Sequence, residues 1–200
     1  MITILKQHLA ATLPTMADKD VRYYLNGALL EVTQCGQVHL ISTDGHMMLV
    51  GRIQPAWLSD NPGPLQLIIP RDVVAQASKG RTPDTVTLAR LDDTRWTLGD
   101  VVFTPIDGKF FDWRRVNVTG AQLGPEKPAQ FNPAILVRAN EALARWAENK
   151  KHCYTRLHMR GNDAAVMMSA DNSAHCIVMP WRVGDDVAAA QPLTPAPFIK

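Results

Sequence analysis

One pattern is written three times along this chain, at a spacing of about 65 residues. Each copy is a segment of helical periodicity followed by three β-favouring runs separated by turn signals. In the first copy Ile4, Leu5, Leu9 and Leu13 recur at helical spacing, with Thr3 placed to cap the helix and Pro14 to end it. The runs "VRYYLNGALLEV", "QVHLIST" and "HMMLVGRI" follow, the first built around Asn26-Gly27 and the second leading into Asp44-Gly45. In the second copy a short strand, "LQLIIP", leads into a helix that starts after Pro70 and closes at Gly80, then "DTVTLARL", "RWTLGD" and "VVFTPIDG". The third opens on "AQFN", read as a short strand. Its helix runs from Pro133 to about Ala147, with Asn132 as cap and Pro133 in the first helical position. Then come "CYTRLHMRG", "AAVMMSA" and "HCIVMPWRV", with turns at Gly161-Asn162 and Asp171-Asn172. The stretches between copies, "QPAWLSDNPGP" and "VTGAQLGPEKP", are dense in turn formers and read as linkers.

One such unit is a sheet with a helix on one face, too little to bury a core alone. Two units together make a layered α+β structure, sheets with helices on one face, and this is the fold class expected here. A third unit has no mate, which predicts an exposed sheet edge or oligomerisation. The chain's 200 residues, 46% apolar and 20% charged, are enough for a real core. No segment approaches the roughly 18 unbroken apolar residues of a membrane span. The start, "MITILKQHLAATL", lacks the basic residues and cleavage site of a signal peptide. The cysteines, Cys35, Cys153 and Cys176, are odd in number and without framework spacing, as expected of reduced thiols. A cytoplasmic protein with no membrane partner is expected.

Basic and acidic side chains number 21 and 19, a formal charge of +2, so any nucleic-acid surface must arise from uneven distribution. The acids cluster at Asp18 and Asp20, Asp92 and Asp93, and Asp185 and Asp186, while the bases favour helical segments. His152-Cys153 and His175-Cys176 suggest metal ligands, but adjacent strand residues face opposite ways, so neither pair can chelate as a unit. No metal and no cofactor are expected. Asp44 and His46 lack a matching nucleophile and a third group, and Asp44-Gly45 is better read as turn chemistry. No catalytic residues, and no enzymatic activity of its own, are expected.

Four stretches carry a resemblance to a known family: "DVRYYLNGALLEV", "STDGHMMLVGRI", "GDVVFTPIDGKFFDWRRV" and "CIVMPWRV". In order and spacing they are similar to the bacterial sliding clamp, the beta subunit of DNA polymerase III, over about Ile4 to Val183. The resemblance implies a DNA-clamp-like fold. Residues 1–120 would be like the family's middle domain, two units with a boundary near 54–64. Residues 121–183 would form a closing half-domain, and 184–200 a proline-rich extended tail. The first strand of the first unit is cut to little more than Met1-Ile2-Thr3.

The family binds short peptides of polymerases and other replication or repair proteins in a hydrophobic groove between its middle and last domains. Carried over by motif, one wall would be Leu25, Thr43, Gly45, His46, Met47 and Met48. The other would be Ile177, Val178, Met179, Pro180, Trp181 and Arg182. Methionines suit an adaptable apolar wall, and Arg182 suits an acidic peptide position. Where the family commonly has Arg-Leu after the histidine, this chain has Met47-Met48, which makes the rim greasier. The DNA-facing candidates are Arg22, Tyr23 and Tyr24, with Lys6, Arg71, Lys79, Arg138 and Arg145 on helices. The implied function is a shortened clamp-like processivity factor of DNA replication. Its partners would be double-stranded DNA, bound without regard to sequence, DNA polymerase and other clamp-binding proteins. It would be a homo-oligomer, four chains supplying the twelve units of a six-domain ring. The alternative is a peptide-binding module or decoy that modulates replication proteins without encircling DNA. Gln191, Leu193 and Phe198 are loosely similar to clamp-binding peptides, so the tail is a candidate occupant of the groove.

Overall fold

A computed structural model describes residues 1–54, 63–80, 82–117, 130–147, 155–160, 163–168 and 172–181. The two linkers, the turn at Gly161-Asn162, Asp171, Cys153, Arg182 and the tail lie wholly or mostly outside the described residues.

The three β runs of the first copy form an antiparallel meander of β2 (Gly27–Val32), β3 (Val38–Thr43) and β4 (Met47–Ile53). Register pairs Leu30 with Leu40 and Leu40 with Gly51. The meander recurs as β6 (Thr85–Arg90), β7 (Trp96–Leu98) and β8 (Val101–Phe103), and again as β9 (Arg156–Arg160), β10 (Asp163–Met168) and β11 (Ala174–Val178). In the first two copies a lead strand and a helix precede the meander: β1 (Ile2–Leu5) with α1 (Lys6–Thr12), and β5 (Leu65–Pro70) with α2 (Arg71–Ala77). The third copy begins with α3 (Pro133–Trp146). Its cap is as expected: the Asn132 side chain accepts from the Ala134 amide at 3.0 Å, with Pro133 next in line.

The lead strands are exchanged. β1 pairs with β6 of the second copy and β5 with β2 of the first. One sheet runs β1-β6-β7-β8. The other runs β5-β2-β3-β4-β11-β10-β9, the third copy extending the first. This exchange corrects the expected start of the first helix. Ile2 and Ile4 alternate inward, 3% and 0% exposed, opposite Leu88 and Val86, so Ile4 and Leu5 belong to a strand. Thr3 caps nothing. Leu5 is the capping position, and the Lys6 amide donates to the Asp84 carbonyl at 2.8 Å. "AQFN" is not a strand where it is described: Gln130 to Asn132 are irregular, although the Gln130 carbonyl accepts from the Trp181 amide at 2.7 Å.

The helices share one face of the sheets, with α1 packed between α2 and α3. The inward residues of α3, Ala139, Ala142, Leu143 and Trp146, are buried against α1 and the β4–β11 seam. A second, smaller core lies on the opposite face of the seven-stranded sheet. There Leu29, Ile41, Met48, Val50, Ile68 and Ile177 are covered by a strap, residues 104–117, through Ile106, Phe110, Phe111 and Trp113.

Candidate functional site

The turn between β3 and β4 is built by its own side chains. Asp44 Oδ1 accepts from the amides of His46 (2.8 Å) and Met47 (3.1 Å). The Thr43 hydroxyl accepts from the Gly45 amide at 3.0 Å and donates to the Met47 carbonyl at 2.6 Å. Gly45 has φ +90°, where a side chain is strained, and a Cβ there would also meet the Arg22 guanidinium. "TDGHM" therefore encodes a turn, and the Asp44 carboxylate is occupied in making it.

β11 is registered beside this turn. Ile177 pairs with Met48 and Val178 with Met47, and the Met179 amide donates to the His46 carbonyl at 2.9 Å. The two motifs, more than a hundred residues apart in the chain, thus share one cavity of about 370 Å³. Leu25, Thr43, Gly45, His46, Met47 and Met48 form one side of it, and Ile177 and Met179 the other. Strand alternation divides the rest. Val178 and Met47 are turned into the helix-side core, 0% and 2% exposed, so Val178 does not line the cavity and Met47 contributes only an edge. Met48, on the opposite face, is a wall residue of the strap-side core. The greasier rim expected from Met47-Met48 is thus divided: Met47 is mostly core and Met48 is a cavity wall. Pro180 and Trp181 lie beyond the cavity lining, with Trp181 exposed.

Four lining residues were not among the expected walls: Arg22, Tyr24, Phe111 and Val116. Phe111 and Val116 come from the strap, whose "KFFDWRRV" carries the signal: apolar residues packed around charges at the end of a meander. The sequence assigns Arg22 and Tyr24 to the DNA-facing group, and both line the cavity. Tyr24 instead meets Phe110 edge-on at 6.4 Å beside the cavity. Arg22 forms a fork with Asp20 (3.0 and 2.8 Å) at the rim. Hydrogen bonds from Arg22 hold the Asp20 carboxyl down at about 2. Tyr23 is exposed and lies against Gly108.

The strap is held by Glu31, which is 4% exposed on the outer face of β2. It accepts from both Arg114 terminal nitrogens (3.0 and 2.6 Å), Trp113 Nε1 (3.2 Å) and Gln66 (2.8 Å). Burial opposes its ionisation, but the bonds from Arg114 and Gln66 outweigh this and keep its carboxyl below the usual range. His175 Nε2 meets Asn117 Oδ1 at 2.6 Å at the strap's end. Burial, with neighbouring His39 adding to it, pushes His175 down to about 4. Burial also raises the Cys176 thiol well above its ordinary value.

The helix cations divide into two groups. Lys6 and Lys79 line a shallow depression where α1 begins and α2 ends. Arg145 borders a neighbouring one with Lys6, but it donates to the Ala10 carbonyl at 3.1 Å and pairs with Glu141 at 2.5 Å. Arg71 donates to the carbonyls of Leu13 and Met16 at 2.9 and 3.1 Å, closing the end of α1. Arg138 donates to the Pro14 carbonyl and to Asp44, both at 2.9 Å. Among the described residues no cluster of His, Cys, Asp and Glu has the makings of a metal site.

A repeated α+β scaffold with exchanged lead strands and an apolar cavity at the seam of two units is the architecture of a DNA-clamp-like protein. Residues 2–112 match the family model for the DNA polymerase III beta subunit, central domain. The beta sliding clamps of Salmonella typhimurium (strain LT2) and Escherichia coli (strain K12) are each 31% identical to this chain over 170 residues, covering 81% of this chain and 43% of theirs. The chain belongs to the beta sliding clamp family of DNA polymerase III, and it spans less than half the length of those relatives. Solved structures share its fold. A Pseudomonas aeruginosa DNA polymerase sliding clamp with ligand superposes with TM-score 0.68 at 20% identity, covering 91% of this chain and 66% of that one. A Streptococcus pneumoniae DNA polymerase III beta chain gives 0.69 at 11%, covering 91% and 64%. Among the described residues no helix is long and apolar enough to cross a membrane.

Proposed function

We propose that the cavity between β4, β11 and the strap is a docking groove for short apolar peptides of replication proteins. The chain would act as a shortened clamp-like processivity factor in DNA replication. The observation that carries this reading is the β4–β11 pairing, which gathers Met48, Ile177, Met179, Leu25, Phe111 and Val116 around one apolar hollow. Its volume, about 370 Å³, suits two or three anchoring side chains. Methionine, phenylalanine and aliphatic walls give apolar contact without fixed geometry, while Arg22 and His46 offer hydrogen-bond donors at the rim. Asp44 is engaged in its turn and in an ion pair, an arrangement that favours a binding role over a catalytic one.

On this reading residues 1–120 act as a middle domain and 121–183 as the half-domain that supplies the second wall. The partners are a polymerase and other peptide-bearing replication proteins in the cytoplasm. DNA would be encircled by a homo-oligomer, its backbone met by Lys6 and Lys79. The test is fluorescence anisotropy of a labelled peptide carrying a Gln-Leu pair and a terminal aromatic residue. Met179 is 53% exposed, so Met179→Asp should leave the fold intact while placing a charge in the groove. It should weaken binding at least about tenfold. Affinity equal to the unsubstituted protein's would remove the groove from this role.

A further inference from the structure

We infer that Arg138 is a positioning residue for the groove: reaching from α3, it fixes the β3–β4 turn that forms one wall. The inference rests on the groove reading above for its functional meaning, but the contact itself does not. Asp44 divides its carboxylate between two tasks. Oδ1 holds the amides of His46 and Met47, and Oδ2 receives Arg138 Nη1 at 2.9 Å. Arg138 Nε is anchored in turn on the Pro14 carbonyl at 2.9 Å. The guanidinium therefore spans from the third unit's helix to two points of the first unit, the end of the α1 region and the groove turn.

The Thr43 hydroxyl closes the turn from within, on the Gly45 amide and the Met47 carbonyl, so Arg138 is its tie to the third unit's helix. Gly45 and His46 are exposed, and Gly45 sits at positive φ. The positions of His46 and Met47 depend on Asp44 Oδ1, and Met179 hangs from the His46 carbonyl. A second cation is near: Arg22 Nη2 donates to the Asp44 backbone carbonyl at 3.4 Å while its fork holds Asp20. With Arg138 in place, Asp44 Oδ2 pairs with Arg138 and Arg22 pairs with Asp20. Without it, Asp44 is free to swing toward Arg22, loosening the turn and neutralising a rim donor together. The Asp44 side chain is 13% exposed and that of Arg138 41%, so water weakens the pair but does not abolish it.

The experiment uses the full chain and has two arms. In the first, amide hydrogen exchange is compared between the unsubstituted protein and Arg138→Gln. The His46 and Met47 amides should exchange about three- to fivefold faster, while those of the distant β6–β7 hairpin stay unchanged. Arg138→Lys keeps a cation in reach of Asp44 and should retain slow exchange. Unchanged exchange in Arg138→Gln, or a lysine variant exchanging as fast as the glutamine one, overturns the inference. In the second arm, peptide affinity is measured for Arg138→Gln, Asp44→Asn and the double variant. Asp44→Asn keeps the oxygen that caps the turn and removes the charge. Each single substitution should weaken binding about three- to fivefold, and the double no more than either. Losses that add in the double variant overturn the inference. A protein that binds no peptide even when unsubstituted sinks the groove reading, while the exchange arm still decides the role of Arg138.

Discussion

Glu31 faces away from the helices on β2, where alternation would ordinarily place a solvated side chain. The strap covers it, and its charge is matched by Arg114, which also lies 4.4 Å over the Trp113 ring. Glu31→Gln would leave Arg114 facing a neutral amide. Arg114 is half exposed, which discounts the loss relative to a fully buried pair, and a destabilisation of about 2 kcal/mol is expected in urea unfolding. An unchanged midpoint would mean that water already carries Arg114. Histidine 175 gives the acid response its first step. Its ordinary value of 6.5 is lowered to about 4 in the fold. Between those pH values the unfolded chain binds a proton that the folded chain does not, so stability falls as pH drops. The loss approaches 1.4 kcal/mol per pH unit, on the order of 3 kcal/mol in all. His39, also lowered by burial, adds in the same direction. The Glu31 contribution is present above the ordinary carboxyl value of 4.5 and is lost below it. His175→Gln should flatten the urea midpoint between pH 6.5 and about 4. A slope parallel to that of the unsubstituted protein would assign the acid response elsewhere. At this scale the groove was partly legible. "TDGHMM" announces its turn through side chains that bond their own backbone. "KFFDWRRV" shows an apolar stretch among charges but not that Phe111 and Val116 are walls, because what makes them so is the strap's path over a distant sheet.

Among the elements, α3 matters most, because it joins the third unit to the first. Trp146 at its end is 1% exposed, and its ring stacks on His8 with centroids 4.0 Å apart and planes 8° from parallel. Its indole nitrogen donates to the Ser173 hydroxyl at 3.0 Å, just before β11. The outer edge of its six-membered ring lies against Gly51 of β4, where any Cβ would overlap it. Gly51→Ala therefore must push Trp146 outward, and with it the seam that builds the groove. An overpacking loss of about 2 kcal/mol in urea unfolding is expected. No loss would mean that the ring slides freely and does not fix the seam. The same elements explain what the pattern of residues could reveal. The meanders and the Asn132-Pro133 helix start are local, so short windows of sequence expose them. The lead strand Ile2–Leu5 is not local. Its apolar residues fit helical spacing equally well, and only pairing with Thr85–Leu88 decides for strand.

At the scale of the molecule, the third unit resolves its missing mate by borrowing a neighbour: β11 pairs with β4, and β9 becomes the end of a seven-stranded sheet. The four-stranded sheet ends in β8, where Val102 is 53% exposed. Strand ends of this kind are templates for another strand. The chain's net charge is only +2, and Arg71, Arg138 and Arg145 already hold carbonyls or carboxylates, leaving Lys6 and Lys79 as the grouped helix cations. Two phosphate contacts give a single chain little hold by charge, and that hold would fall roughly 12-fold between about 50 and 200 mM salt. On the proposed function, retention on DNA would therefore come from assembly. Light scattering should give a mass that is a multiple of 22.1 kDa. Nicked circular DNA should retain the assembly and release it when cut to a linear form. Lys6→Glu with Lys79→Glu should reduce that retention without lowering stability, whereas Arg71→Ala should lower stability first, because it frees the carbonyls of Leu13 and Met16. A persistent 22.1 kDa monomer at micromolar concentration would exclude encirclement and leave the groove to act alone.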